Sequence, residues 1–193
     1  MVGGGRKTIG GMLAAAFVLV ALAGCASAGG AESPEAVSQV TLAQSKSYAQ
    51  LLRNEASSRL PEIVLKEVAQ SSDVSVACDS DPSGLERSWS SGMSILITNS
   101  TAPRIHAVAD ELAASFVAQG WTSTVDDSST DTRVVTELTS EASLAAIQIE
   151  AALKAEGQEP SISITATGVC ALTGGPESDE VLKLELQEQP SQN

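Results

Sequence analysis

SISITATGVC, residues 161–170, alternates apolar Ile162, Ile164, Ala166 and Gly168 with polar Ser161, Ser163, Thr165 and Thr167. A period of two puts the first set on one side of a strand and the second on the other. The stretch therefore reads as a half-buried antiparallel strand with a solvated back. The pattern recurs upstream: Ala145, Ile147, Ile149 and Ala151 alternate against Gln148 and Glu150, and Val134, Thr136 and Leu138 alternate before them. Acidic Asp126–Thr132 and Glu156-Gly157 supply turns. Trp121 and Val125 open another strand, and Trp89, Met93, Ile95 and Ile97 share one face of a further one. Val74, Val76 and Cys78 alternate with Ser75 and Ala77, so 62–69 and 73–78 read as a hairpin turned at Ser71-Ser72-Asp73. Cys170 and Cys78 both fall on the apolar parity of their strands, which points both thiols to the buried face.

Two stretches break the period of two. Ser33-Pro34-Glu35 is a helix start, with a capping serine, a proline in the first turn and an acid beside the helix dipole. Val37, Val40, Tyr48, Leu51 and Leu52 follow on one helical face, Gln44 being its polar exception, to about Ser58, and Pro61 ends the run. Ser100-Thr101-Ala102-Pro103 starts the clearer helix, with Ile105, Val108, Leu112 and Phe116 as its buried stripe and Gly120 as its C-cap. The order of helix, hairpin, strand, helix and meander predicts an α+β fold. It would hold a single antiparallel sheet of about five or six strands with two helices packed on one face. The domain spans 34–171. Residues 172–193 read as an acidic, mostly disordered tail with a brief helix at 178–187.

The N-terminus addresses the chain. Arg6 and Lys7 precede an uncharged apolar run, Ile9 to Leu22, which closes on Leu22-Ala23-Gly24-Cys25. A basic start, an apolar core and small residues before the cut make 1–24 a secretory signal, too short and glycine-bearing to span a bilayer comfortably. Leu-Ala-Gly-Cys resembles a bacterial lipobox. That resemblance implies diacylation of Cys25 on sulfur, cleavage before it, and display on the outer face of the cell membrane. Residues 25–33 then form the lipidated cysteine and a flexible Gly/Ser/Ala tether.

The chain has 11 basic and 24 acidic residues, a formal net charge of −13. Losing the leader removes Arg6 and Lys7 and makes the mature chain more acidic still. Such a surface repels nucleic acid, which is excluded as a partner. An exported chain with Cys78 and Cys170 left beside the anchor is expected to pair them. Aromatic residues are too few for a sugar-stacking platform, and Trp89 and Trp121 read as core anchors.

No constellation of reactive groups stands out. Asp79-Ser80-Asp81-Pro82-Ser83-Gly84 has the first half of a calcium loop, but Ser90 stands where the bidentate Glu belongs, so it reads as a surface turn. His106, four residues before Asp110, offers an oriented base without a marked nucleophile. Asp110/Glu111 and Asp126/Asp127 are adjacent carboxylates on expected surface segments, and Asn99-Ser100-Thr101 reads as a helix start. We therefore expect no catalytic residues, no metal and no cofactor.

The layout of Leu22 to Cys25, Cys78, Trp89, Gly120-Trp121 and Cys170 is similar to that of small, functionally unassigned lipoproteins exported by actinobacteria. The resemblance implies no activity. The sequence leads us to expect a membrane-anchored extracytoplasmic lipoprotein that acts as a non-enzymatic binding or adaptor module of unknown partner, an envelope protein being one candidate and an apolar ligand another. The other class open to it is a carrier of an apolar or lipid ligand between helices and sheet.

Overall fold

The computed structural model describes residues 40–61, 65–97, 102–153 and 160–188. The signal, the lipobox, the tether, the Ser33-Pro34-Glu35 helix start, the Asn99–Thr101 segment and the Glu156-Gly157 turn all lie outside these. In chain order the elements are α1 (Leu42–Ser58), β1 (Leu65–Ala77), β2 (Glu86–Ile97), α2 (Ala102–Val117) and β3 (Thr122–Val125). β4 (Arg133–Thr139), β5 (Ala145–Ala152), β6 (Ser161–Gly168), β7 (Ala171–Leu172) and α3 (Asp179–Leu186) follow.

The fold is α+β, with one open antiparallel sheet ordered β1-β2-β6-β5-β4-β3 and short β7 paired to β2. Alternation sets the register. Ile149 lies opposite Ile164 and Ala151 opposite Ile162, so the apolar parity of both strands faces the same side. α1 covers that side over β2, β6 and β5, and α2 covers it over β5 and β4. The layer between is filled by Trp89, Ile95, Ile105, Leu112, Phe116, Leu138 and the isoleucines of β5 and β6, all buried. Arg59 ties the helices together: its guanidinium stacks 3.9 Å from the Phe116 ring and donates to Ser115 Oγ at 2.9 Å and Gln119 Oε1 at 2.8 Å.

α2 follows its expected stripe. It ends with the Trp121 N–H donating to Phe116 O and the Gly120 N–H to Val117 O, Gly120 taking φ 91°, a turn only glycine adopts freely. α1 corrects the sequence reading. Thr41 is its N-cap: its Oγ1 accepts from the Gln44 N–H, and Gln44 Oε1 accepts from the Thr41 N–H at 2.9 Å. Gln44, the apparent flaw in an apolar stripe, is thus half of a capping box. The helix turns Leu42, Ser45, Lys46, Ala49, Leu52 and Ala56 inward, while Tyr48 and Leu51 are 38% and 67% exposed.

β1 is a second correction. It is one continuous strand, so Ser71-Ser72-Asp73 is not a turn, and it pairs along its length with β2. Its facing is opposite to that expected. Ser75 lies across from Trp89 and Asp73 across from Ser91 on the helix side, whereas Val74 is exposed on the back of the sheet. On the helix side Asp73 and Ser75 meet polar partners, Gln50 and Arg53 on α1 and Glu185 on α3.

The C-terminal segment is the third correction. Residues 171–188 are folded onto the domain: β7 extends β2, Ser178 caps α3, and Val181 is fully buried. Cys78 and Cys170 are bonded, as expected, with S–S 2.03 Å. Cys78 is buried, but Cys170 follows the end of β6 and is exposed, so its strand parity did not set its direction.

α1 approaches β6 closely at Gly168. A Cβ there would lie 2.5 Å from the Ser45 carbonyl oxygen, and Ser45 Oγ accepts the Trp89 N–H at 3.1 Å, where β6 has stopped pairing with β2. Backbone cannot swing aside as a side chain can. Gly168→Ala is therefore expected to destabilise by about 1–3 kcal/mol through overpacking. Gly92→Ala is the control: its Cβ would meet the rotatable Ser72 Oγ at 2.7 Å and should cost less. Urea midpoints at unchanged m-value read both.

Candidate functional site: the uncovered side of the sheet

The back of the sheet is built by the polar half of each alternation. Ser72, Gly92, Thr165, Gln148, Glu137 and Thr124 form one row across successive strands by register. A second row runs Val74, Ser90, Thr167 and Ala146. Hydroxyls dominate, and two of them bond across strands, Ser163 Oγ to Ser94 Oγ at 3.1 Å. Small residues leave shallow depressions open to solvent. One, of about 400 Å³, is lined by Asp79, Glu137, Thr139, Gln148, Thr165 and Thr167 among others. A smaller one of about 170 Å³ sits over Gly92, where the missing side chain makes the floor. A third, about 580 Å³, lies at the β3–β4 corner beside Gly120, Thr122 and Glu141.

Charge on this side is negative. Arg133 is engaged by Glu150 through Nε–Oε1 at 2.9 Å and Nη2–Oε2 at 2.8 Å, which raises the guanidinium pKa above its ordinary value. Among the described residues, Asp79 and Glu137 have no hydrogen-bond or ion-pair partner in their side chains.

The helix side holds the other polar cluster, and its groups are spent on one another. Asp73 accepts from Arg53 Nη1 at 2.7 Å, Ser91 Oγ at 2.7 Å, Gln50 Nε2 at 3.0 Å and Trp89 Nε1 at 3.1 Å. Burial pushes its pKa up, but the bonds from Ser91, Trp89 and Gln50 and the Arg53 charge outweigh that and hold it below the usual carboxylate value. Lys46 sits 4.5 Å from the Trp89 ring centroid, pairs with Glu188 at 2.6 Å and donates to Leu184 O. Glu185 accepts from Ser75 Oγ at 2.6 Å. The arrangement locks α1, β1, β2 and α3 together and offers no free base or nucleophile.

Asp81 is turned into its own loop, accepting from the Ser83 N–H at 2.9 Å and the Glu86 N–H at 2.7 Å, which fits the surface-turn reading. His106 is half-buried with Nε2 enclosed and unbonded, and no hydrogen bond joins it to exposed Asp110. Asp126 caps the turn after β3 by accepting the Ser128 N–H at 2.7 Å; Asp127 is exposed. Trp89 is fully buried, and Trp121 packs edge-on against Phe116 at 5.4 Å. Among the described residues no group of three or more His, Cys, Asp and Glu could hold a metal ion, and no helix is long and apolar enough to cross a membrane. The sequence reading missed the Asp73 cluster. Its signal was Lys46, Gln50 and Arg53, spaced four and three apart on one helical face.

Comparison with family models, with curated proteins and with solved structures gives no match for this chain.

Proposed function

We propose that the protein is a membrane-anchored extracytoplasmic lipoprotein, held through lipid on Cys25, whose folded domain is a non-enzymatic binding module for an envelope partner. The binding half is carried by one observation: helices cover one side of an open sheet, and the other side, with its acidic and hydroxyl groups, is left uncovered among the described residues. A filled layer between helices and sheet supports this reading over the ligand carrier. Export is supported by the Cys78–Cys170 bond, which suits an oxidising compartment.

The test of the anchor is Cys25→Ser. Two acyl chains bind membrane far more firmly than one, each buried CH₂ contributing about 0.8 kcal/mol. The wild-type chain should sediment with membranes and take up labelled palmitate. The variant should take up none and leave the acylated membrane pool. Equal labelling of both would remove the proposal.

A further inference from the structure

The two edges of the sheet are treated differently. On β1 the outward backbone groups of Ser75 are both occupied: Glu185 Oε1 accepts its N–H at 3.2 Å, and Arg87 Nη2 donates to its carbonyl at 2.8 Å. Register irregularities at Leu65/Glu67 and Val68/Gln70 disturb the N-terminal part of that edge. These are the means by which proteins blunt a strand edge.

β3 has none of them. The Asp126 N–H donates to Val135 O at 2.9 Å, which fixes the phase of the β3–β4 ladder. In an antiparallel pair, inward and outward groups alternate. Thr122 and Thr124 therefore bond towards β4, while Ser123 and Val125 aim their N–H and C=O groups away from the sheet. Among the described residues no hydrogen bond engages those outward groups. All of β3 is exposed, without charge, proline or bulge, and Val125 is 59% exposed. The unpaired charges around this edge are of one sign. Asp127, Asp131, Glu137 and Glu141 carry no partner among the described residues, and the neighbouring cation, Arg133, is committed to Glu150. A second copy of so acidic a chain would be repelled, whereas a basic segment would be drawn in.

We infer that β3 accepts an extended, Lys/Arg-bearing segment of a partner protein as an added strand. The inference rests on the binding-module reading and names its edge and the chemistry of its partner. Main-chain bonds to Ser123 and Val125 supply register, and the acidic rim supplies selectivity. The shortness of β3 limits the contact to two residues' outward groups, which suits a reversible association.

The probe is an acetylated, amidated octapeptide of alternating Lys with Val or Thr, and its counterpart with Glu in place of Lys. The full chain in detergent is followed by residue-resolved hydrogen exchange. The basic peptide should slow exchange at Ser123 and Val125 by at least about tenfold at low salt, and less at high salt. The acidic peptide should not. Ser123→Pro removes an outward N–H without costing a ladder bond, and should abolish the protection at Val125. Should that variant fail to fold, Glu137→Lys, at an exposed unpaired position, should weaken the response to the basic peptide. Equal protection by both peptides, or protection that survives these substitutions, overturns the inference. Protection confined to another surface overturns this edge and leaves the binding reading standing. No protection anywhere overturns both.

Discussion

Replacing Cys78 and Cys170 together by serine is expected to destabilise the domain by roughly 2–5 kcal/mol. The bond joins residues 92 apart and closes a loop that contains most of the sheet. Loop-closure entropy for such a length is about 4–5 kcal/mol in the chain-entropy model, and realised values are commonly smaller. Position matters as well as length. Cys78 directly follows β1 and Cys170 lies between β6 and β7, so the bond holds the segment from which β7 and α3 continue. Without it, the C-terminal elements are tied by two ladder pairs, by Val181 and by the polar contacts of Lys46 and Ser75 with α3 and Glu188. Urea unfolding of the oxidised wild type, the reduced wild type and the double-serine variant is the check. The latter two should fall together at lower midpoints. Coincidence of all three would refute the prediction.

Asp73→Ala should cost about 3–5 kcal/mol, the range for removing one partner of a buried ion pair. Arg53 and Asp73 side chains are 12% and 11% exposed, so the guanidinium left behind is poorly solvated. Trp89 Nε1, Ser91 Oγ and Gln50 lose their acceptor in the same step. The pair also has a pH signature. The Asp73 pKa is lower in the folded chain than in the unfolded one, so the unfolded state binds the proton more readily. The stabilisation is complete above the ordinary aspartate value, near pH 4. It is lost as pH falls below that value and through the lowered folded pKa. Asp81 and Asp126 are lowered too, by hydrogen bonds from Ser83 and Ser128 respectively, so the wild type alone does not isolate Asp73. The difference between wild type and Asp73→Asn should shrink as pH drops from 6 towards 3. A difference independent of pH would contradict the assignment.

Where apolar residues were frequent enough to set a phase, the fold was legible. β5 and β6 alternate without interruption, α2 carries a full stripe with a glycine cap, and these place the central strands and one helix. Reading failed where polar residues do the packing. In β1, Asp73 and Ser75 turn inward because Arg53, Gln50, Ser91 and Glu185 await them, and those partners come from distant parts of the chain. In α1, Ser45 and Lys46 are buried, the first because Gly168 lets the helix sit against β6, the second because Trp89 and Glu188 receive its charge. The C-terminal helix was legible, but its docking was not, since Val181 alone is a slight apolar signal. The candidate site is the polar parity of well-read strands, so its residues were visible. The openness of β3 was not, because it depends on which strands end the sheet.

We propose that this folded domain is displayed on a membrane by a lipid on Cys25. The most direct measurement is the intact mass of the chain extracted from the membranes of its own expressing cells. The expected mass is that of a chain beginning at Cys25, heavier by two or more acyl chains and lighter by the two hydrogens of the Cys78–Cys170 bond. An unacylated chain that begins anywhere else would contradict it.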